Sequence, residues 1–270
     1  MSDREHAVGI AGAGRMGQAL GRALREAGEA VCAVASRSRE HARQAAEFIG
    51  GVAAVDYSEL SGFADRILIA VPDDAVEAVA AALGRRCALH TSGARGPVGV
   101  AGALHPMQTI AAPQEYRALR GAYFGVTAEG EALAWAGRIV ALLDGRMLRI
   151  APERRALYHA AGVMASNYMV AVIDAAERLM QDAGGEREAL APILRASVEN
   201  CIRMGAVAAL TGPLERGDAG TIRSHLAAMD GGVRDLYRAA GKYLVTVARR
   251  RAAPAPNLDE MEALFGESNE

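Results

Sequence analysis

The chain has 270 residues, of which 51% are apolar, and a formal net charge of -2. This length permits one large domain or two ordinary ones around a sizeable core. Because acidic and basic residues are interspersed and nearly balanced, charge favours neither nucleic acid nor an anionic membrane as a partner.

Short apolar runs alternate with helical patterns from residue 6 to about residue 150. This rhythm predicts an α/β domain over residues 1–151, built on a doubly wound parallel sheet of about seven or eight strands. After Pro152 long helical periods replace the strands, so we expect residues 152–251 to form an all-α domain. Residues 252–270 open with prolines and close with acids, which predicts a loosely held tail with at most one short helix.

The helical part contains a segment, residues 160–176, that is apolar almost all round. Such a helix is expected to be buried at a domain or subunit centre, for example in a dimer core. The longest apolar stretch, residues 160–172, is interrupted by Ser166 and Asn167 and is expected to be too short to span a bilayer. The charged first residues do not resemble a signal peptide.

The cysteines Cys32, Cys87 and Cys201 are widely separated, with no CxxC pair and no histidine at metal-ligand spacing. We expect buried free thiols, no metal site and a cytoplasmic location.

A glycine-rich turn follows the first strand and opens the first helix. Its residues are Gly12, Ala13, Gly14, Arg15, Met16 and Gly17. In this context the first glycine permits a tight turn, the second lets the backbone approach a pyrophosphate, and the third lets helix and strand pack closely. The turn therefore predicts a Rossmann domain that binds a dinucleotide, and the alternative is a glycine turn without a ligand.

The end of the second strand carries Ser36 and Arg37 where an NAD enzyme usually has an acidic residue. A hydroxyl and a guanidinium can bind a 2′-phosphate through charge-assisted hydrogen bonds, so NADP(H) is favoured over NAD. Alternatively, Ser36 or Ser38 caps the next helix and Arg37 is solvated.

Further residues at strand ends could lie along a bound ligand. Val71 and Pro72 are predicted to contact the cofactor through their backbone, whereas Asp73 and Asp74 are expected to be helix N-caps.

Two polar clusters follow the next strands, and their members are His90, Ser92, His105 and Gln108. They can orient a carbonyl or carboxylate, and a histidine can donate a proton, or they can simply stabilise loops.

The helical part contributes further candidates. His159 and Asn167 are eight residues apart and are expected to share one helix face. A buried Asn167 needs a partner, which is a substrate, a neighbouring helix or the backbone. Thr211 and Arg216 flank a Gly-Pro break and can bind a ligand carboxylate, or they belong to an ordinary helix connection.

These motifs together resemble the family of Rossmann-like proteins with a DUF2520 helical domain, related to pyrroline-5-carboxylate reductase and the 6-phosphogluconate dehydrogenase superfamily. The resemblance covers nearly the whole chain and rests on the glycine turn and four further segments, namely residues 90–93, 104–109, 159–167 and 211–218. It implies a homodimer formed through the helical domains, with an active site between the two domains. Some members resemble an alternative ketopantoate reductase of pantothenate biosynthesis.

The resulting hypothesis is hydride transfer from NADPH to a small 2-oxo acid, possible substrates including ketopantoate. Asn167 and Ser92 would orient the substrate, Arg216 would bind its carboxylate, and His105 or His159 would donate the proton. Better-known ketopantoate reductases use a lysine as general acid, but Lys242 is the only lysine here. The alternatives are an imine reductase of the pyrroline-5-carboxylate type and a non-catalytic NADP-binding sensor or partner protein.

Overall fold

The structure is a computed structural model that describes residues 6–84 and 87–266. The chain divides into two compact units between Ser166 and Asn167. This division lies beyond the boundary expected after residue 151, because the first long helix of the helical part packs on the sheet of the first unit.

Within the described residues of the first unit, eight strands form one sheet in the order β3-β2-β1-β4-β5-β6-β7-β8. The strands are β1 Val8–Ala11, β2 Val31–Ala35, β3 Ala53–Val55, β4 Arg66–Ile69, β5 Cys87–His90, β6 Gly102–Pro106, β7 Tyr123–Ala128 and β8 Arg146–Arg149. This mostly parallel α/β arrangement confirms the predicted fold class. The short β3 was not identified from the sequence.

The last two strands run against the others, which corrects the expectation of a wholly parallel sheet. β7 pairs antiparallel with β6, with His105 opposite Gly125, and β8 runs parallel to β7. The reversal follows from the connection between β6 and β7, which contains only a 3-10 segment, Pro113–Leu119. A parallel pair would need a crossover connection that returns the chain to the starting edge.

Helices cover both faces of the sheet, and its central strands are apolar and buried on both faces. The helices of the first unit are α1 Arg15–Glu26, α2 Arg39–Ile49, α3 Tyr57–Phe63, α4 Val76–Leu83, α5 Gly130–Leu142 and α6 Arg155–Ala165. In β4, Leu68 belongs to the core cluster that includes Leu20 and Trp135, whereas Ile67 and Ile69 belong to the cluster on the other face. Burial on both faces explains why the strands read as continuous apolar runs.

The described part of the second unit is all-helical, as expected. Its helices are α7 Asn167–Asp182, α8 Ala191–Met204, α9 Ala206–Ala209, α10 Pro213–Arg216, α11 Ala219–Ala228, α12 Gly231–Ala248 and α13 Leu258–Gly266. The described part of the tail contains one short helix, α13, which the prediction allowed, but it is not loosely held, because Leu258, Met261 and Phe265 are buried in this unit's core. The apolar spacing of α13 lets it pack although prolines precede it.

A long apolar run remains on the surface of the chain. Residues Pro152–Asp182 form a helical run of 31 residues that is long and apolar enough to cross a membrane by length and composition, and none of its most apolar window is buried. The run is longer than the stretch 160–172 considered from the sequence, and its exposure in a single chain leaves burial at a subunit centre as a prediction. The run is broken at Ser166, where the backbone leaves helical geometry and the hydroxyl bonds the Gly162 carbonyl at 2.7 Å.

Candidate functional site

The glycine turn joins β1 to α1 at the carboxyl edge of the sheet. Gly12 has φ of +127°, and a Cβ there would collide with the Ala70 carbonyl at the end of β4. A Cβ on Gly17 would collide with the Gly12 carbonyl. Packing of the turn therefore requires glycine at both positions.

Gly14 differs from its two neighbours because packing does not require it. A Cβ at Gly14 would meet nothing within 4 Å, and this residue is the N-cap of α1 without a side-chain cap. The open space and the uncapped helix N-terminus suit a pyrophosphate, which can approach the backbone N–H groups closely. A turn without a ligand leaves this glycine unexplained.

The other members of the turn stabilise it or face away. The Ala13 carbonyl accepts a hydrogen bond from Gln18 at 2.8 Å, and Met16 packs against the core. The Arg15 guanidinium donates to the Ala111 carbonyl at 3.1 Å.

The two serines that follow β2, Ser36 and Ser38, have different roles. Ser38 caps α2 by accepting from the His41 N–H at 3.3 Å, while Ser36 accepts from the Ser38 N–H at 3.3 Å. Arg37 is exposed, and its charge partly opposes the rise in the pKa of Tyr57 that burial causes. Arg37 and Ser36 thus offer a cation and a hydroxyl where a 2′-phosphate would lie.

The segment after β4 corrects one expectation. Asp73 and Asp74 begin a 3-10 turn, Asp73–Ala75, and neither this turn nor α4 has a side-chain cap. The prediction that these aspartates are N-caps is wrong. The Asp73 carboxylate instead acts electrostatically on His90 and His105, where it favours the protonated forms. Val71 packs partly against the core.

The cluster after β5 stabilises its own loop. His90 is fully buried, with Nδ1 accepting from the Ser92 N–H at 3.2 Å and Nε2 lying 2.9 Å from the Gly96 carbonyl. The Ser92 hydroxyl accepts from the Arg95 N–H at 3.1 Å. Burial lowers the pKa of His90, so the ring is neutral at pH 7. This geometry favours the loop-stabilising alternative for His90.

Three aromatic side chains meet beside this loop. Tyr158 and His159, from α6, both pack edge-on against the ring of His105, with centroid separations of 5.6 and 5.7 Å. The Tyr158 hydroxyl lies 3.0 Å from His105 Nδ1. A Cβ on Gly93 would collide with the His159 ring and approach His105 Nε2 to 2.9 Å. We call His105, Tyr158 and His159 the aromatic cluster.

His105, the central member of the cluster, stays neutral. Burial lowers the pKa of His105 to about 4, and the charges of His159 and Arg155 act in the same direction while Asp73 opposes them. At neutral pH His105 is therefore uncharged. It can donate or accept a hydrogen bond, but it lacks the second ring proton that a general acid would transfer.

Arg155 is fully buried beneath the cluster. It donates to the Thr127 hydroxyl at 3.0 Å and to the Ser92 carbonyl at 2.5 Å, while its Nε has no hydrogen-bond partner. Burial lowers the pKa of Arg155. Arg155 and Tyr158 were not identified from the sequence. Tyr158 has one signal in the sequence, Gly125 inside β7, since a strand glycine often marks a close approach and a Cβ there would collide with Tyr158.

Gln108 and Asn167 are not members of this cluster. Gln108 holds its own loop, donating to the Ala118 carbonyl at 3.2 Å and accepting from the Thr109 N–H at 2.9 Å. The expectation that His159 and Asn167 share one helix face is wrong, because α6 ends at Ala165 and α7 begins at Asn167.

The remaining two predicted residues belong to the second unit. Thr211 and Arg216 are exposed at either end of the Gly-Pro segment, and Asp218 caps α11 through Thr221. No described group of three or more His, Cys, Asp or Glu side chains could hold a metal ion.

We predict that Gly14→Asp weakens NADPH binding by at least about tenfold while stability is retained. Aspartate is a favourable N-cap, but its carboxylate would repel the pyrophosphate. Gly14→Asn, of nearly equal size without the charge, is the control and should lose less affinity. Fluorescence titration measures NADPH affinity and thermal unfolding measures stability. Equal affinities in all three proteins would refute pyrophosphate binding at Gly14.

We predict that Arg37→Ala weakens NADPH binding by about tenfold and leaves NADH binding nearly unchanged, since only NADPH carries the 2′-phosphate. Arg43→Ala is the control, because Arg43 is exposed on α2 and pairs with Glu40 at 3.8 Å. Parallel titrations with both nucleotides provide the measurement. An equal loss for NADH would show that Arg37 does not read the phosphate.

Two family models match separate parts of the chain. Residues 7–91 match the model described as NADP oxidoreductase, coenzyme F420-dependent, and residues 122–244 match a domain of unknown function, DUF2520. None of the curated proteins matches the chain.

Solved structures share this fold over most of their length. Protein TM1727 of Thermotoga maritima is 25% identical, with a TM-score of 0.77 over 90% of this chain and 99% of that one. BF3122 of Bacteroides fragilis, assigned as an NADP oxidoreductase, is 23% identical, with a TM-score of 0.76 over 88% and 97%. The 1-pyrroline-5-carboxylate reductase of Streptococcus pyogenes is 15% identical, with a TM-score of 0.64 over 96% and 98%.

The order of the two matched models agrees with the resemblance found in the sequence, and the glycine turn lies inside the first of them. The chain therefore carries an N-terminal NADP oxidoreductase domain of Rossmann type followed by a DUF2520 domain, and its cofactor is NADP(H).

Proposed function

We propose that this protein reduces the carbonyl group of a small 2-oxo acid with NADPH, and that ketopantoate is the first substrate to test. The observation that carries the proposal is the convergence of His105 and His159 against Gly93, at the carboxyl ends of β5 and β6. Open α/β sheets bind ligands at this carboxyl edge, and the glycine turn lies on the same edge. Neighbouring strands are about 4.8 Å apart, so a dinucleotide extending from β1 towards β5 can bring its reactive end near the histidines.

The chemistry requires one hydride and one proton. When bound, NADPH supplies the hydride to the carbonyl carbon, and the carbonyl oxygen must gain a proton to give the 2-hydroxy acid. Neutral His105 can polarise that oxygen by donating a hydrogen bond. His159 is only partly buried, so it can give its proton to the oxygen and regain one from solvent.

Substrate contacts from other residues stay predictions. We propose that Ser92 and Asn167 orient the substrate and that Arg216 binds its carboxylate, with Thr211 and Gln108 as further contacts. A guanidinium is suited to the carboxylate because it offers two parallel N–H donors.

Imine reduction is the second candidate. The fold likeness to a pyrroline-5-carboxylate reductase favours it. A protonated imine carries its proton already, so this reaction depends less on a general acid. A role in NADP binding without turnover is the outcome that would exclude both reactions.

The decisive assay follows NADPH oxidation at about 340 nm with ketopantoate, other 2-oxo acids and cyclic imines in parallel. We expect turnover of a 2-oxo acid, and a fall of about 100-fold or more in kcat for His159→Gln. His41→Gln is the control, because His41 is exposed on α2. Turnover of cyclic imines alone would replace the first reaction by the second. Tight NADPH binding without oxidation across the panel would contradict both.

We place the reaction in the cytoplasm, where a reducing pool keeps thiols free. Cys32, Cys87 and Cys201 form no disulfide, but they are not all buried as expected, since Cys201 is exposed and the other two are partly buried. Partial burial raises the pKa of Cys32 and Cys87, which makes these two thiols less reactive.

We also propose that two copies of the chain associate through the second unit. Its helices α7 and α8 expose large apolar side chains, which include Tyr168, Met169, Val170, Val172, Ile193, Val198, Ile202 and Met204. Apolar groups in this number mark an interaction surface. A second copy explains them without a further component, whereas a membrane is the other occupant that the run Pro152–Asp182 would fit.

We expect a molar mass twice the 28.2 kDa of one chain in solution, measured by light scattering. Ile202→Glu, at a side chain that is 75% exposed, should shift the protein to monomer, because a dimer interface would bury the new charge. Phe63→Glu, at a 49% exposed side chain of the first unit, should leave the mass unchanged. A monomeric wild-type protein that sediments with lipid vesicles would instead identify a membrane surface.

A further inference from the structure

The hydroxyl of Tyr158 has two possible acceptors on one residue. It lies 3.0 Å from His105 Nδ1 and 3.4 Å from the His105 carbonyl oxygen. A phenol has one hydrogen to donate, and the shorter distance lies within the usual range for a hydrogen bond from a hydroxyl to nitrogen. The geometry therefore favours donation to Nδ1.

The position of the hydroxyl is fixed from two sides. Gly125 in β7 leaves room for the Tyr158 ring, and a Cβ there would collide with it. The Arg155 guanidinium lies 6.0 Å from the centre of the same ring. Arg155 is itself held by Thr127 and Ser92, so the tyrosine rests on groups that have little freedom to move.

The remaining ring nitrogen of His105 lies beside Gly93, where the proposed function places the substrate carbonyl. A neutral imidazole whose Nδ1 accepts a hydrogen bond carries its proton on Nε2. Nε2 is the atom that approaches the Cβ position of Gly93, next to His159. A buried cation on one side and His159 on the other disfavour a second proton on this ring.

We propose that Tyr158 is a positioning residue that holds His105 as the tautomer with its proton on Nε2, so that His105 presents a neutral N–H donor at Gly93. This inference rests on the proposed carbonyl reduction. It divides the work between the two histidines. His105 donates a hydrogen bond to the substrate oxygen and keeps its proton, and His159 is the group that gives a proton away.

The tautomer can be read without substrate from two-bond ¹H–¹⁵N correlations of the histidine rings in the full chain at pH 7. We expect wild-type His105 to show a protonated Nε2 and an unprotonated Nδ1. In Tyr158→Phe the hydrogen bond to Nδ1 is lost, and the pattern should shift towards a mixture of the two tautomers. Wild-type protein with the proton on Nδ1 would overturn the proposal, as would an unchanged pattern in Tyr158→Phe.

A matched control exists in the second unit. There the Tyr237 hydroxyl lies 2.9 Å from His225 Nδ1, with the two rings again edge-on. Tyr237→Phe should alter the His225 signals and leave those of His105 unchanged. Gly125→Ala, which pushes the Tyr158 ring away, is the second variant. It should shift the His105 tautomers in the same way, and it provides the test if Tyr158→Phe does not fold.

Kinetics separate the positioning role from a structural one. For a reduced 2-oxo acid, Tyr158→Phe should lower kcat on the order of tenfold, as loss of a supporting hydrogen bond does elsewhere, while the KM for NADPH stays unchanged. An equal rise in the KM for NADPH would indicate general damage and contradict the proposal. A wild-type protein with the expected tautomer but no carbonyl reduction would refute the proposed function and leave the Tyr158–His105 arrangement standing.

Discussion

The buried guanidinium of Arg155 is the contact on which the site is built. It joins the loop after β5, through the Ser92 carbonyl, to the side chain of Thr127 in β7, and it starts the helix that carries Tyr158 and His159. Burying a cation is costly unless its donors are satisfied, and one donor of Arg155 has no partner. Removing either acceptor would leave still more of this charge unsatisfied, so the loop, the strand and the helix are held in one arrangement.

Close approach of α6 to the sheet gives this arrangement its precision. Gly93 and Gly125 each stand where a Cβ would collide with a ring of the aromatic cluster. The rings are thereby in contact with backbone on one side and with one another on the other. A site supported by rigid elements in this way loses little energy to reorganisation when charge develops on a substrate oxygen.

Local patterns in the sequence were enough to predict the glycine turn, most strands and the helical character of the second unit. Gly12, Gly14 and Gly17 are interpretable because their strand-turn-helix context is local. The reversal of β7 was not predictable, since an apolar strand looks the same in either direction. Arg155 and Tyr158 were missed because their partners are distant in sequence, 63 residues away at Ser92 and 53 at His105. The packing of α13 into the core was missed because prolines precede this helix and acids follow it.

The direction of β8 has a consequence for how much the chain can vary. Because β7 and β8 run against β6, the chain leaves β8 at the edge of the sheet opposite the glycine turn. It returns to the aromatic cluster through the short segment from Ile150 to Arg155 and the first turn of α6. One residue added or removed in this first turn would rotate the rest of the helix by about 100° and move Tyr158 and His159 off the sheet together. The segment between β8 and His159 therefore acts as a spacer of fixed length, in which Arg155 and Tyr158 are constrained by their contacts and the other positions tolerate substitutions but not insertions or deletions.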